Sequence, residues 1–212
     1  RLARWAPSHR RVGLSATVAD EEGLAQWLVG CMPVLRGTPA PDRAAPNSAV
    51  NTTGSLENSV ILRAAAGAPP IVDVLDSDAR IPWSGHTARH AMPEVYDAIK
   101  RTRLALVFVN TRAQAEMTFQ ELWRINDDQL PIALHHGSLD VAQRRKVEAA
   151  MAAGALRAVV CTSTLDLGID WGDVDLVIQI GAPKGAARLV QRIGRANHRL
   201  NEPSRALLAP SN

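Results

Sequence analysis

The sequence predicts an α/β fold, a parallel sheet with helices on both faces. Three observations lead there. Four largely apolar runs, LALVFV (104–109), LPIAL (130–134), RAVVCT (157–162) and VDLVIQI (174–180), read as strands buried on both sides. The segments between them carry helical spacing of apolar residues. Strand–helix alternation of this kind implies βαβ units, whose crossovers cover the sheet above and below.

The elements follow in chain order. Residues 1–5 read as part of a helix, and RVGLSATV (11–18) as a short strand entering a polar turn. Residues 20–28 have helical spacing, with Leu24, Trp27 and Leu28 on one face. Residues 33–58 are rich in Pro, Ala, Asn and Thr and read as a connector with at most short strands. IVDVL (71–75) alternates as an edge strand does. PWSGH (82–86) reads as a hinge into a helix over 90–100. Asn110 or Thr111 is placed to cap a helix reaching Arg124, with Met117, Leu122 and Trp123 inward. Ser138 is placed to cap a helix over 139–153, with Asp140 in its first turn and Gly154 just past its end. A helix over 184–196 and a strand over 206–209 complete the pattern.

Composition narrows the class. With 46% hydrophobic residues among 212, the chain has ample material for a core. There is no apolar run of about 18 residues, so no membrane-spanning helix is expected, and no signal peptide either. Two cysteines, Cys31 and Cys161, make a disulfide framework an unsuitable reading and fit a reduced, cytoplasmic setting. A formal charge of +3 permits a polyanionic partner without demanding one. The chain begins at Arg1 inside an expected helix, so it is expected to be a fragment of a longer protein.

In parallel sheets the site lies at the carboxyl ends of the strands. There the sequence sets Asn110-Thr111-Arg112, His135-His136-Gly137-Ser138, Thr162-Ser163-Thr164, and Gly181 with Pro183. Hydroxyls, backbone amides and helix N-termini at one rim suit phosphate oxygens. A second cluster runs from Gln191 to Arg199. On a helix, Arg192 and Arg195 share a face, and two guanidiniums aimed together suit a transferring phosphoryl group. His135-His136 does not read as a metal site, because adjacent strand residues point apart and no third ligand is near in sequence. Cys161 reads as core. Asp166 reads as a salt-bridge partner across its own loop, and Arg144-Arg145-Lys146 as a solvated face or a backbone contact.

These residues resemble helicase motifs. GLSAT (13–17) is similar to motif III, VFVNTR (107–112) to motif IV, VVCTSTLDLGID (159–170) to motif V, and QRIGRANHR (191–199) to motif VI. Their order resembles superfamily 2. HHGSL, QRRKVEAAMAAG and LDLGIDWGDVDLVIQIGAPKG resemble the Lhr (large helicase-related) family, and NHR with PWSGH its ligase-associated DEXH-box branch. The resemblance implies RecA-like lobes: the end of the first over 1–37, a connector over 38–85, and the second over 86–212.

It also implies roles. Ser15 and Thr17 would couple the nucleotide site to the nucleic-acid groove. Thr111, Arg112, Ser138 and Thr162 would contact phosphates of the tracking strand. Gly168 and Asp170 would approach the ATP ribose. Gln191 would sit by the γ-phosphate, with Arg192 and Arg195 facing phosphate and Arg195 the finger. His198 stands where many relatives carry a second finger, and Asn197 where they carry glycine. The resemblance implies ATP with Mg²⁺, single-stranded DNA (RNA left open), 3′-to-5′ movement, and DNA repair beside a ligase and a nuclease. No G-x-x-x-x-G-K-[ST] and no DExH box occurs in the sequence. The chain alone is therefore expected not to hydrolyse ATP. The rival reading is a nucleic-acid-binding α/β module without a motor.

Overall fold

The structure, a computed structural model, describes residues 5, 10–14, 18, 20–30, 51–56, 59–63, 68–77, 88–166, 173–197 and 202–211. The chain divides into two compact units, Arg1–Ala66 and Gly67–Asn212.

In the first unit, helix α1 (Glu21–Gly30) starts at Asp20, whose Oδ1 accepts from Gly23 N at 2.8 Å. Among its described side chains Ala25 is buried, whereas Leu24 and Trp27, expected with Leu28 on one face, are exposed. Strands β1 (Asn51–Leu56) and β2 (Ser59–Arg63) pair antiparallel, and Arg63 Nε lies 2.7 Å from Glu21 Oε2. Residues 11–14 carry no regular structure. Of the expected helix over 1–5 only Trp5 is described, and Ser15 and Thr17 lie outside the described residues.

The second unit is built on six parallel strands. These are β3 (Ile71–Val74), β4 (Ala105–Phe108), β5 (Ile132–His135), β6 (Ala158–Cys161), β7 (Leu176–Ile180) and β8 (Arg205–Ala209). Their order is β3-β8-β7-β4-β6-β5, every pair parallel. β3 is an edge strand, as its alternation predicts. It lies within the stretch expected to connect the lobes, yet pairs with β8, so the sheet takes in part of that stretch.

Helices α2 (Met92–Lys100), α3 (Arg112–Arg124), α4 (Val141–Ala152) and α5 (Ala186–Ile193) cover the sheet. Alternate residues of β4 explain its unbroken apolar run. Ala105 and Val107 pack with Val95, Ile99 and Leu122 of α2 and α3, while Leu106 and Phe108 pack with Met151 and Ile193 of α4 and α5. Each of the larger side chains contributes roughly 1.5–3 kcal/mol by leaving water.

Local chemistry moves several expected boundaries. β5 starts at Ile132 because Pro131 has no N–H to give a ladder. Helix α4 is capped by Asp140, whose Oδ1 accepts from Ala142 N at 2.8 Å. Ser138 is not its cap, because Leu139 N bonds back to His136 O in a turn. Gly154 follows α4 with φ +65°, as expected. Helix α5 is shorter than predicted, held between Gly185 at φ +99° and Gly194. Leu122 is buried, but Met117 and Trp123, expected inward, are 41% and 59% exposed. The buried stripe of α3 is Ala115, Thr118 and Leu122, and Trp123 stacks on Phe119 outside it.

Candidate functional site

The chain leaves β4 toward β5 on one side and β7 toward β8 on the other. A crevice is expected where neighbouring strands send their connections apart, here between β4 and β7. Asn110, after β4, spans it by donating from Nδ2 to Ala182 O at 2.8 Å. Gly181 has φ +71°, and a Cβ there would meet Ser211 Oγ at 3.1 Å, so the turn after β7 calls for glycine.

Thr111 caps α3 in a capping box. Its Oγ1 accepts from Gln114 N at 3.2 Å, and Gln114 Oε1 accepts from Thr111 N at 3.2 Å. The next residue, Arg112, reaches across to the β5 end, where Nη1 donates to Ser138 Oγ at 3.2 Å. Thr111, Arg112 and Ser138 thus form one rim, with Arg112 and Ser138 in contact. Thr162 follows β6 and is half-buried, and its backbone N donates to His135 O at 3.3 Å. Gly168 and Asp170, with Trp171 and the PWSGH segment, lie outside the described residues.

The two arginines part company. Arg192 is 1% exposed. Its Nε donates to Asp166 Oδ1 at 2.8 Å, its Nη1 to Gln179 Oε1 at 2.7 Å, and its Cζ lies 4.6 Å from the Phe108 ring centroid. Gln179 is saturated too, with Nε2 donating to Ile180 O and Gly181 O at 3.0 Å each. Arg195 lies beyond the end of α5 in a turn, half-buried, with Nε donating to Gln191 O at 3.3 Å. The shared helical face expected of Arg192 and Arg195 is therefore corrected. Gly194 ends the helix between them, and burial turns Arg192 inward. Gln191 is half-buried on the last turn of α5, and His198 and Arg199 lie outside the described residues. Asp166 does form salt bridges, and its partners are two arginines of α5, Arg192 at 2.8 Å and Arg188 at 3.7 Å.

Sequence reasoning missed Gln179 and Glu148. The signal for Gln179 was present: an amide inside an apolar strand must find partners. Glu148 carried no local signal. It becomes visible only when α4 lays it 3.1 Å from His135 Nε2. The two histidines serve separate partners. His135 meets Thr164 and Glu148. His136 Nδ1 accepts from Ser138 N at 3.3 Å, and its Nε2 stands 3.4 Å from Glu116 Oε1 without hydrogen-bond geometry. Burial pulls the His135 pKa below its ordinary value against the opposing pull of Glu148. Burial likewise pushes the Cys161 thiol well up, so Cys161 sits in the core as an inert apolar group.

Residues 88–200 match the helicase conserved C-terminal domain family. The chain is 31% identical over 233 residues to the Lhr helicase/probable uracil glycosylase of Mycolicibacterium smegmatis, covering 95% of this chain and 14% of that protein. It is 34% identical over 212 residues to the ATP-dependent helicase Lhr-Core protein 2 of Thermococcus barophilus, covering 98% of this chain and 22% of the relative. The structure of Mycobacterium smegmatis helicase Lhr bound to ssDNA and AMP-PNP matches with a TM-score of 0.74 at 31% identity, over 95% of this chain and 24% of that one. The chain thus spans less than a quarter of the length of each of these proteins.

Proposed function

The chain belongs to the helicase conserved C-terminal domain family, and on that premise we propose that it is the second RecA-like lobe of an Lhr-type ATP-dependent DNA helicase or translocase. One observation carries this reading over a plain binding module. Asp166, Arg192 and Gln179 form a buried link from the turn after β6 through α5 to β7. That link ties the rim proposed for nucleic acid to the helix that leads into Arg195. A module that only binds a strand needs the rim but not the link.

In this reading Thr111, Arg112, Ser138 and Thr162 contact phosphates of single-stranded DNA. Such contacts are indifferent to base sequence and sensitive to salt. Gly168 and Asp170 approach the ATP ribose, and Ser15 and Thr17 couple the two sites. Hydrolysis adds a water oxygen to the γ-phosphorus as its bond to the bridging oxygen of ADP breaks. Gln191 orients that water. Arg195 stabilises the charge spread over the transferring group, which its half-buried guanidinium suits. Arg192 acts as a positioning residue, because its donors face Asp166 and Gln179. The P-loop lysine and the carboxylate for Mg²⁺ belong to the first lobe, and no residue of this chain is assigned to the metal.

The Lhr resemblance extends the reading to 3′-to-5′ movement and a cytoplasmic role in DNA repair beside a ligase and a nuclease. Among the described residues no helix is long and apolar enough to cross a membrane. The test is the ATPase of the full gene product with and without single-stranded DNA, followed by unwinding of duplexes bearing a 3′ or a 5′ overhang. Stimulation with 3′-overhang preference supports the reading. Binding without stimulation moves the binding module ahead.

A further inference from the structure

His135, at the end of β5, is 1% exposed, so it is neither one of the phosphate-facing residues of the rim nor part of the arginine cluster. Its Nδ1 lies 2.8 Å from Thr164 Oγ1 and its Nε2 3.1 Å from Glu148 Oε1. The roles follow from chemistry. An ionised carboxylate only accepts, so Nε2 carries the proton, and a neutral ring then accepts at Nδ1 from the Thr164 hydroxyl at 2.8 Å, with the His135 carbonyl oxygen as that hydroxyl's more distant acceptor at 3.3 Å. Burial favours that neutral ring. The His135 carbonyl adds a second hold on the same turn, accepting from Thr162 N at 3.3 Å. The Thr164 methyl also sits 3.8 Å from where a Cβ on Gly137 would lie, so the turns after β5 and β6 are in near contact. Arg144 and Glu148 on α4, and neighbouring His136, are the other charged or titratable groups acting on the ring.

We propose that His135 is a positioning residue for nucleic-acid binding: through its bond to Thr164 it fixes the Thr162–Thr164 turn so that Thr162 faces the strand beside Ser138. His136 supports the other side of that placement by holding Ser138 N. The proposal rests on the motor-lobe reading for its nucleic-acid ligand, and it adds a residue outside the phosphate-facing set. It separates the two arms of one ring. An asparagine amide reaches where Nδ1 stands, and a glutamine amide where Nε2 stands. His135→Asn therefore keeps the Thr164 arm, and His135→Gln keeps the Glu148 arm.

The test uses the full gene product, with ATPase stimulation by oligo-dT and direct binding of fluorescein-labelled oligo-dT. His135→Gln and Thr164→Val should raise the oligo-dT concentration for half-maximal stimulation, and the Kd, about tenfold, the size of one net hydrogen bond. kcat at saturating DNA and the KM for ATP should stay within about twofold. His135→Asn and Thr164→Ser should restore the DNA values. Melting curves confirm that each variant is folded. Equal loss in His135→Asn and His135→Gln, or a fall in kcat with DNA affinity intact, overturns the proposal. If the wild type binds oligo-dT but is not stimulated, the motor reading fails while the Kd series still decides this one. If the wild type does not bind oligo-dT, both fall.

Discussion

Arg192 Nε lies 2.8 Å from Asp166 Oδ1 in a site where the arginine side chain is 1% and the aspartate side chain 9% exposed. Two charges withdrawn this far from water hold each other in place, and removing either is costly. Gln179 accepts from the remaining edge of the guanidinium at 2.7 Å, and the Phe108 ring lies against its flat side. The arrangement predicts non-additive mutations. Arg192→Met should cost roughly 3–5 kcal/mol of stability by leaving the buried Asp166 to the more distant and more exposed Arg188, whose Nε stands 3.7 Å from Oδ2. The double variant Asp166→Leu/Arg192→Met should lose clearly less than the sum of the singles. Urea denaturation of the four proteins measures the cycle, and simple additivity would mean that the pair is not coupled.

The face of α3 gives a second prediction. Leu122 is fully buried, whereas neighbouring Trp123 is 59% exposed. Leu122→Ala should destabilise by about 2–5 kcal/mol, the usual cost of an emptied core site. Trp123→Ala should cost under about 1 kcal/mol, limited to its stacking on Phe119. Thermal melts that rank the two the other way would place the tryptophan in the core.

Thr111 is assigned two tasks that substitution can separate. Its hydroxyl caps α3 by accepting from Gln114 N, and it is also proposed to meet a phosphate. Thr111→Ala should therefore lose about 1 kcal/mol of stability, and Thr111→Ser almost none. If Thr111→Ala melts like the wild type, the hydroxyl is not serving the helix.

The buried His135 makes stability depend on pH. Its pKa in the fold lies below the ordinary histidine value, because burial disfavours the charged ring. The unfolded chain thus takes up a proton first as pH falls. The stability this group contributes is complete above about 6.5 and is lost as pH drops toward the lower, folded value. Denaturation midpoints of the wild type should fall as the pH is lowered from about 7.5 to about 5. They should fall less steeply for His135→Gln. Identical slopes would assign the pH dependence to other groups.

Most of the fold was legible because burial on both faces writes itself into sequence. The run LALVFV must pack Leu106 and Phe108 to one side and Ala105 and Val107 to the other, and it does. Helix faces were harder to read. Periodicity alone does not say which side of α3 meets the sheet, and Trp123 is large and apolar yet lies outside. Element ends were shifted by chemistry at single residues, with Pro131 moving a strand start and Asp140 and Gly194 each moving a helix boundary. At the candidate site, the rim residues could be placed from strand ends. The inward turn of Arg192 could not, since its partners Asp166 and Gln179 are brought to it only by the fold, 26 and 13 residues away.

The central claim is that this lobe supplies Arg195 to ATP hydrolysis. The direct measurement is the DNA-stimulated ATPase of the full gene product, wild type beside Arg195→Ala, with ATP binding followed by a fluorescent analogue. The account predicts that Arg195→Ala binds the nucleotide and single-stranded DNA but loses turnover by about a thousandfold or more, the scale of a missing arginine finger. An Arg195→Ala protein as active as the wild type would contradict it.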